Sequence, residues 1–304
     1  LHVSLIGFYK GSWQGKRILD NEEVNYINSY LKSSPEIQKP FSLQKETEAF
    51  LGTTVYGKGF FLNHEEKDYL IKKNPQYKMY IKRFINGDDV LNNPDSSPSR
   101  YVLYLLDFNE ENLKKEISLY EFAYARIFEE RQKSSSPGRR DKWWLYTSPA
   151  QNLYKKIVDL DRVIITSFTS KHIVFTIVPS KDVVFSNAVI VICDNSFEIC
   201  AILQSSVHSS WVRAYSSTLE TRQRYAVSDC YNNFPFPQND ISSLSNISRQ
   251  FFTGRQEFML KRNIGLTKFY NDFHDLNNND EQLDYLRGTF IQLEKEVLLN
   301  YNWS

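Results

Sequence analysis

Cysteine and paired histidines are nearly absent from this sequence of 304 residues. Cys193, Cys200 and Cys230 form no CxxC pair and leave an odd thiol, so the sequence predicts neither a disulfide framework nor a cysteine zinc site. The five histidines show no HxxxH or HExxH spacing, so the sequence contains no recognisable ligand set for the zinc of a hydrolase. These absences favour a protein of the reducing cytoplasm.

Long apolar runs, a signal peptide and an excess of one charge are also missing. The longest apolar pieces, such as AVIVIC at residues 188–193, suit buried strands and are too short to cross a bilayer. The 37 basic and 36 acidic residues leave a net charge of +1, which argues against a protein that coats nucleic acid through its bulk charge. We therefore expect a soluble intracellular protein without membrane contact.

Local basic clusters remain candidates for contacts with DNA phosphates, because a sequence-specific reader can confine such contacts to one surface. For any single cluster, a solvated loop is the simpler alternative. The candidate phosphate-contacting residues are Lys16, Arg17, Lys82, Arg83, Arg139, Arg140 and Lys171.

Catalytic motifs are missing as well. No GxSxG is present for a serine nucleophile, and the GKG turn at residues 57–59 lacks the GxxxxGK[ST] spacing of a phosphate loop. NPQY at residues 74–77 departs from the NPP[YF] motif of amino-methyltransferases, because glutamine replaces the second proline. After Asp95, no lysine has an acid two places before it, as a metal-dependent nuclease would need. The sequence therefore predicts no catalytic, cofactor-binding or metal-binding residue in this chain.

The residues that are present describe a globular chain, with 41% hydrophobic and 15% aromatic residues. The order of apolar patterns predicts an α+β fold, in which a mixed sheet is followed by a helical bundle. Because the chain opens at Leu1 directly into the strand-like HVSLIGF, we expect a segment of a longer protein. The expected parts are a terminal hairpin of an upstream sheet at residues 1–20, a domain at 21–237 and a C-terminal helical domain at 238–304.

Periodicity, caps and turn residues place the individual elements. Predicted strands lie at residues 1–19, around a glycine-rich turn at 11–15, at 53–63, from 78 to a tight turn at 86–88, and at 99–108, 162–168, 172–178 and 188–193. Predicted helices lie at residues 22–31, 64–73, 110–133, 149–160, 241–262, 265–274 and 280–300.

The stretch from residue 201 to residue 237 has the most informative pattern. Apolar residues from 199 to 211 recur at steps of three and four, which predicts one amphipathic helix. Glu220, Arg222 and Arg224 follow with a spacing of two, so on a single strand their side chains would leave the same face. One alternative is a surface ion pair between Glu220 and Arg222. The other is that Arg224 pairs with a carboxylate within the fold.

Seven blocks in collinear order, the second of them in two parts, resemble one protein family. They are GKGFFL (57–62), YIKRFINGDDVL (80–91) with PSRYVLYLLDF (98–108), RDKWWLY (140–146), LQSSVHSSWVRAYSSTLETRQRY (203–225), YNNFPFP (231–237), GLTKFYNDFHD (265–275) and LLNYNW (298–303). Together they resemble the target-recognition and C-terminal portion of MmeI-like (type IIL) restriction-modification proteins. The resemblance implies a mixed-sheet module that recognises double-stranded DNA.

The resemblance also implies what would lie outside this chain. An adenine DNA methyltransferase that uses S-adenosylmethionine, with the hairpin at residues 1–20 finishing its sheet, would precede the module in the same polypeptide. A nuclease that uses Mg²⁺ would lie further upstream. Two alternatives remain open: a parent that only methylates, as in phage defence, and a protein-interaction scaffold that binds no nucleic acid. An exposed apolar patch would indicate the scaffold.

For individual residues, the resemblance implies that Glu220 and Arg222 read one outer base pair of an asymmetric site. Arg224 would read pairs nearer the methylated adenine, together with Ala188 beside Asn187. The chemistry is suitable, since a carboxylate accepts from the cytosine amino group and a guanidinium donates to both major-groove acceptors of guanine. We therefore expect a recognition sequence that ends in a C·G pair after the target adenine. Packing alone is the alternative explanation for Ala188.

Two aromatic motifs in the resembling segments have simpler structural explanations. The prolines of FPFP fix the backbone while its phenylalanines anchor the chain to the core. Trp143 and Trp144 are expected as core or interdomain anchors rather than as residues that stack on bases.

Overall fold

The computed structural model describes residues 7, 9–29, 31–35, 40–43, 48–219 and 222–303. The chain forms two compact units, residues 1–41 and residues 42–304. In the first unit, β1 (Arg17–Leu19) pairs antiparallel with β2 (Glu22–Val24). Asp20 and Asn21 connect these strands with φ values of 51° and 69°, in the left-handed region that a two-residue hairpin turn uses.

The helix predicted at residues 22–31 is wrong. β2 occupies its first residues, because the Asp20–Asn21 turn folds the chain back onto β1. Residues 1–6 and 8 of the hairpin predicted at residues 1–19 lie outside the described residues, and its second strand corresponds to β1.

Short strands and helices follow one another in the larger unit. The strands are β3 (Ala49–Leu51), β4 (Phe61–Leu62), β5 (Ile81–Ile85), β6 (Arg100–Leu103), β7 (Arg162–Ser167), β8 (Thr169–Ser170), β9 (Thr176–Pro179), β10 (Val183–Phe185), β11 (Val189–Ile192), β12 (Thr218–Leu219) and β13 (Arg222–Arg224). The helices are α1 (His64–Lys73), α2 (Gly87–Asn92), α3 (Glu110–Lys115), α4 (Ile117–Ala123), α5 (Glu129–Gln132), α6 (Pro137–Asp141), α7 (Gln151–Lys156), α8 (Phe197–Gln204), α9 (Ser206–Tyr215), α10 (Val227–Cys230), α11 (Ser245–Arg262), α12 (Leu266–His274) and α13 (Glu281–Asn300). Short 3₁₀ helices lie at Lys58–Phe60, Pro75–Tyr80 and Ser242–Leu244, and a π-helical stretch lies at Tyr124–Phe128.

Three sheets organise the described part of the larger unit. One is mixed, with the strand order β10-β5-β6-β4, in which only β10 and β5 run parallel. The second is antiparallel with the order β3-β11-β7-β9. The third is a small antiparallel sheet, β12-β13-β8. Mixed sheets with helices on their faces are the α+β architecture that the sequence predicts.

The strands β5 and β10 separate two hydrophobic cores. Val184 and Phe84 point into one core, whereas Val183, Phe185 and Ile85 point into the other, as alternation along a strand requires. The larger core joins the antiparallel sheet to α8 and to the C-terminal helices α11, α12 and α13. The C-terminal helices therefore pack directly onto the sheet that precedes them. The boundary predicted at residue 237 remains a prediction.

The helices with the clearest periodicity and caps are confirmed. The helix predicted at residues 64–73 corresponds to α1, which begins with a capping box between Asn63 and Glu66. The three C-terminal helices lie within a few residues of their predicted bounds. Strands predicted at residues 162–168 and 188–193 correspond to β7 and β11.

Several predicted elements are wrong in their type or extent. The tight turn expected at residues 86–88 is the start of α2, because the Asn86 side chain accepts from the amides of Asp88 and Asp89. The strand expected at residues 53–63 contains only β4, and the one expected at 172–178 begins at Thr176. Ala150, at φ 51°, delays the helix expected from residue 149 to Gln151.

Two long predicted helices are interrupted. The helix expected at residues 110–133 breaks at Glu116, whose backbone (φ −86°, ψ 67°) is not helical, and continues through the π-helical stretch. The helix expected around residues 199–211 is two helices, α8 and α9, separated at Ser205. Ser205 has extended backbone and caps α9 through its side chain, which accepts from the His208 amide.

Within the described residues, no helix is both long and apolar enough to cross a membrane.

Candidate nucleic-acid interface

The small sheet β12-β13-β8 carries the predicted arginines. β12 pairs antiparallel with β13, and Leu219 is opposite Arg222. Of the charged strand expected from residue 220 to residue 224, residues 222–224 form β13. Glu220 lies outside the described residues.

Arg222 and Arg224 alternate with Gln223 along β13, so both arginines lie on one face of the strand and both are exposed. The backbone is held on both sides. The Arg224 amide donates to Ser217 at 3.1 Å, and β13 pairs with β8 at Ser170 and Thr169. The expected placement of the two arginines on a common face is confirmed.

The Arg224 side chain lies over an aromatic ring. Its guanidinium carbon is 4.9 Å from the ring centroid of Phe168, within the range of a cation–π contact. No carboxylate of the described residues is within ion-pair distance of Arg224, so the alternative of an internal carboxylate partner finds no support there. A stacked guanidinium keeps its N–H edges available to a further acceptor.

Asn187 and Ala188 form the turn between β10 and β11, and both are exposed. The Asn187 amide donates to Thr53 at 2.9 Å, which fixes the turn. The carbonyl of Ala188 accepts from the Phe168 amide at 2.8 Å. Phe168 therefore contacts both Ala188 and Arg224. These three residues form one edge of the candidate interface. Because the Ala188 side chain is exposed, packing within the core does not explain it.

A surface cavity of about 290 Å³ lies beside this edge. Its lining includes Ala188, Phe168, Gly87 and the exposed charged residues Asp88 and Arg100. The predicted site residues did not include Phe168, Asp88 or Arg100. Asp88 lies in the segment predicted as a tight turn and Arg100 in one predicted as a strand, and no periodicity marks either residue as a surface neighbour of Ala188.

The predicted phosphate-contacting residues are distributed over several elements. In the first unit, Lys16 pairs with Glu23 at 2.6 Å, and Arg17 is the exposed first residue of β1. In the larger unit, Lys82 pairs with Asp182 at 2.5 Å, and an Arg83 guanidinium N–H donates to the carbonyl of Lys181 at 3.4 Å.

The other three candidates also have intramolecular contacts. Arg139 lies 4.5 Å from the ring centroid of Tyr56, and Arg140 donates to the carbonyl of Ser134 at 2.7 Å. The Lys171 ammonium donates to the side-chain oxygen of Asn271 at 2.6 Å. Contact with DNA by any of the seven residues stays a prediction.

The remaining predicted motifs have clear positions. Trp143 and Trp144 are 2% and 6% exposed, and Trp144 donates to the carbonyl of Phe108 at 3.0 Å, so the expectation of core anchors is confirmed. Phe234 of the FPFP segment is buried against His208 and Trp211, as expected for an anchor.

Comparison with known proteins decides the family. The model of the MmeI target recognition domain matches residues 37–238. The chain belongs to the family of the MmeI target recognition domain. It is 27% identical over 185 residues to DNA methyltransferase A of Bacillus subtilis (strain 168), a match that covers 60% of this chain and 20% of the relative.

A solved structure shares the fold of this MmeI-type chain. It is that of the type IIL restriction-modification enzyme MmeI in complex with DNA, with a TM-score of 0.70 and 20% identity. The likeness covers 93% of this chain and 37% of the solved chain. The chain therefore spans about a fifth of the methyltransferase and just over a third of the restriction-modification enzyme.

Proposed function

We propose that this chain recognises the sequence of double-stranded DNA within a larger MmeI-like restriction-modification protein. The observation that carries the proposal is the edge at which Ala188, Phe168 and Arg224 meet, with Arg222 exposed on the same face as Arg224. The membership of the chain in a family of target recognition domains supports it.

The chemistry of base reading supports the same proposal. Two exposed guanidinium groups on one strand face can each donate two parallel hydrogen bonds to the acceptors of guanine in the major groove. A small residue at Ala188 leaves space for a base edge beside Arg224. We propose that Arg224 and Ala188, beside Asn187, read pairs near the methylated adenine, and that Arg222 with Glu220 reads an outer C·G pair. Each good contact contributes roughly 1–3 kcal/mol of discrimination.

The parent protein is part of the proposal. A relative named as a DNA methyltransferase and a structural neighbour named as a restriction-modification enzyme support a parent with both activities. In this proposal the methyltransferase uses S-adenosylmethionine, the nuclease uses Mg²⁺, and both lie in the same polypeptide, outside this chain.

A gel shift with a random duplex library at two salt concentrations tests DNA recognition. We expect sequence-selective binding that weakens steeply at the higher salt concentration, because contacts with phosphates release counterions. No binding at the lower salt concentration would contradict the proposal and favour a protein-interaction scaffold.

A charge swap tests the outer pair separately. Glu220→Lys combined with Arg222→Asp in the parent protein exchanges donor and acceptor, so the outer base should change from C toward G. Sequencing of methylated adenines in DNA modified by the variant gives the new site. An unaltered site would eliminate the role of this residue pair without affecting Arg224.

A further inference from the structure

A second cavity, of about 440 Å³, lies on the other side of β13. It is bounded by the segment after β8, by α9 and by the C-terminal helices α12 and α13. Its size falls within the range of small-ligand pockets in proteins. The polar side chains that line it are two cations, two imidazoles, two amides, four hydroxyls and one carboxylate, and they include Lys171, His172, Arg213, Gln223, His274 and Glu294.

The basic groups reach this cavity from three different elements. Lys171 and His172 follow β8, and both contact one oxygen of Asn271, at 2.6 Å and 3.0 Å. The rings of His172 and His274 have their centroids 5.4 Å apart, and Arg213 lines the cavity from α9. Because both side chains contact the side-chain oxygen of Asn271, the ends of Lys171 and His172 lie close together.

The pKa of His274 reflects the cations that surround it. Burial lowers the pKa of His274, and His172, Arg213, Arg287 and Lys171 lower it further. Arg287 is already held by backbone carbonyls, including that of Phe273 at 2.9 Å. Burial disfavours any charge here, but the surrounding cations make the cavity more favourable for a negative charge than for a positive one.

Counter-charge within the cavity is limited. Glu294 is the carboxylate of the lining, and it accepts from the amide and hydroxyl of Ser206 at 2.7 Å and 2.6 Å. Burial raises the pKa of Glu294. Arg213 is exposed and has no ion-pair partner in the described part of the chain. Two cations and two imidazoles therefore line the cavity together with one carboxylate, whose oxygens already accept hydrogen bonds from Ser206.

Gln223 contributes an unsatisfied polar group. Its side-chain oxygen is buried and has no hydrogen-bond partner among the described residues. A rotation of the amide by half a turn exchanges this oxygen for the NH₂ group, which can donate to an oxyanion in the cavity. Buried amides in folded proteins are normally paired, so an unpaired one beside a group of cations points to a ligand.

We propose that this cavity binds a phosphate group, held by Lys171, Arg213 and the amide of Gln223. A phosphate offers several oxygen acceptors for donors that converge from different directions. The site is distinct from base reading, because Arg222 and Arg224 lie on the opposite face of β13. A bound phosphate would hold Gln223 and thereby fix the strand that carries the two arginines.

Titration of the chain with inorganic phosphate at constant ionic strength tests the site without DNA. Nuclear magnetic resonance of the histidine rings, assigned with His172→Asn and His274→Asn, should show saturable shifts at both rings. Lys171→Gln and Arg213→Gln should each weaken binding by about tenfold, since each removes a charge-assisted hydrogen bond. The control Arg249→Gln, an exposed arginine that does not line this cavity, should bind as the unaltered chain does.

Absence of a saturable shift at both rings would overturn the proposal, as would equal binding by Arg213→Gln, Lys171→Gln and the control. A second titration adds a random duplex to the phosphate-loaded protein. Displacement of phosphate identifies the DNA backbone as the source of the phosphate, and retention identifies a free phosphate compound. Either result supports the site, and the first titration stands even if the chain does not recognise DNA sequence.

Discussion

Phe168 contacts both of the segments that are predicted to recognise bases, one with Ala188 and the other with Arg224. Its amide donates to Ala188, and its ring lies beneath the guanidinium of Arg224. The common face of Arg222 and Arg224 could be predicted from the sequence, because side chains two residues apart leave the same face of any strand. The role of Phe168 could not, since an aromatic residue at the end of an apolar run has the same pattern whether it enters the core or supports an arginine.

His208 makes the stability of the fold depend on pH. It is completely buried, with Nδ1 2.8 Å from the carbonyl of Leu203, and with Nε2 3.2 Å from the hydroxyl of Tyr225 and 3.3 Å from the carbonyl of Cys230. This arrangement suits a neutral ring that donates from Nδ1 and accepts at Nε2. Burial lowers the pKa of His208 from 6.5 to about 4.

Because the unfolded chain takes up this proton below pH 6.5 and the folded chain only near pH 4, stability should fall as the pH drops through this range. At pH 5 the loss from His208 should be about 2 kcal/mol relative to pH 7. Urea unfolding of the unaltered chain and of His208→Asn at both pH values measures it. The variant should lose less stability on acidification, whereas the exposed control His64→Asn should lose as much as the unaltered chain. Equal losses in all three proteins would refute the role of His208.

Among the helices, periodicity predicts which face is buried better than it predicts where a helix is interrupted. The apolar residues from 199 to 211 keep their steps across Ser205, so the pattern alone cannot distinguish one helix from α8 followed by α9. Ser205 interrupts the helix through extended backbone and a local cap, which the apolar spacing does not record. The same limitation applies at Glu116, where the predicted long helix breaks.

The GKGFFL segment depends on close approach to a helical stretch. A Cβ at Gly59 would lie 2.1 Å from the backbone oxygen of Arg126, and the Arg126 side chain donates back to the carbonyl of Gly59 at 3.1 Å. Gly59→Ala should therefore destabilise the fold by about 2–3 kcal/mol, because backbone must move to admit the methyl group. The midpoint of denaturant unfolding measures the change.

Gly138→Ala is the matched control, since a Cβ at that position meets no atom within 4 Å. It should change stability by no more than about 1 kcal/mol. If Gly59→Ala is as stable as Gly138→Ala, the close contact with Arg126 does not constrain the segment.

At the scale of the whole molecule, the C-terminal helices and the antiparallel sheet share one core. Arg255 of α11 is 2% exposed, and it donates to the carbonyl of Phe175 at 2.7 Å and to the hydroxyl of Tyr270 at 2.9 Å. The amphipathic helices after residue 237 were predictable from their sequence. Their attachment through a buried arginine was not, because arginine is usually found at the surface.

Arg255→Ala should lower the free energy of unfolding by about 3 kcal/mol, through lost packing and lost hydrogen bonds. Replacement of Trp13, Trp211 and Trp303 by phenylalanine leaves Trp143 and Trp144, in the other core, as the only fluorescent tryptophans. If sheet and helices unfold together, circular dichroism of the helices and this fluorescence should report the same lowered midpoint. An earlier loss of the circular dichroism signal with unchanged fluorescence would instead indicate an independent helical domain at residues 238–304.

If the exposed face of β13 recognises DNA sequence as proposed, removal of the Arg224 guanidinium should change the preferred sequence. The measurement is the selection of bound duplexes from a random library, followed by sequencing, with the unaltered chain, Arg224→Ala and the control Arg249→Ala. We expect one enriched sequence for the unaltered chain and the control. For Arg224→Ala we expect the loss of preference at one base pair, worth roughly 1–3 kcal/mol, with the preference at the other positions kept. The same sequence selected by Arg224→Ala, or no enrichment with the unaltered chain, would contradict the proposal.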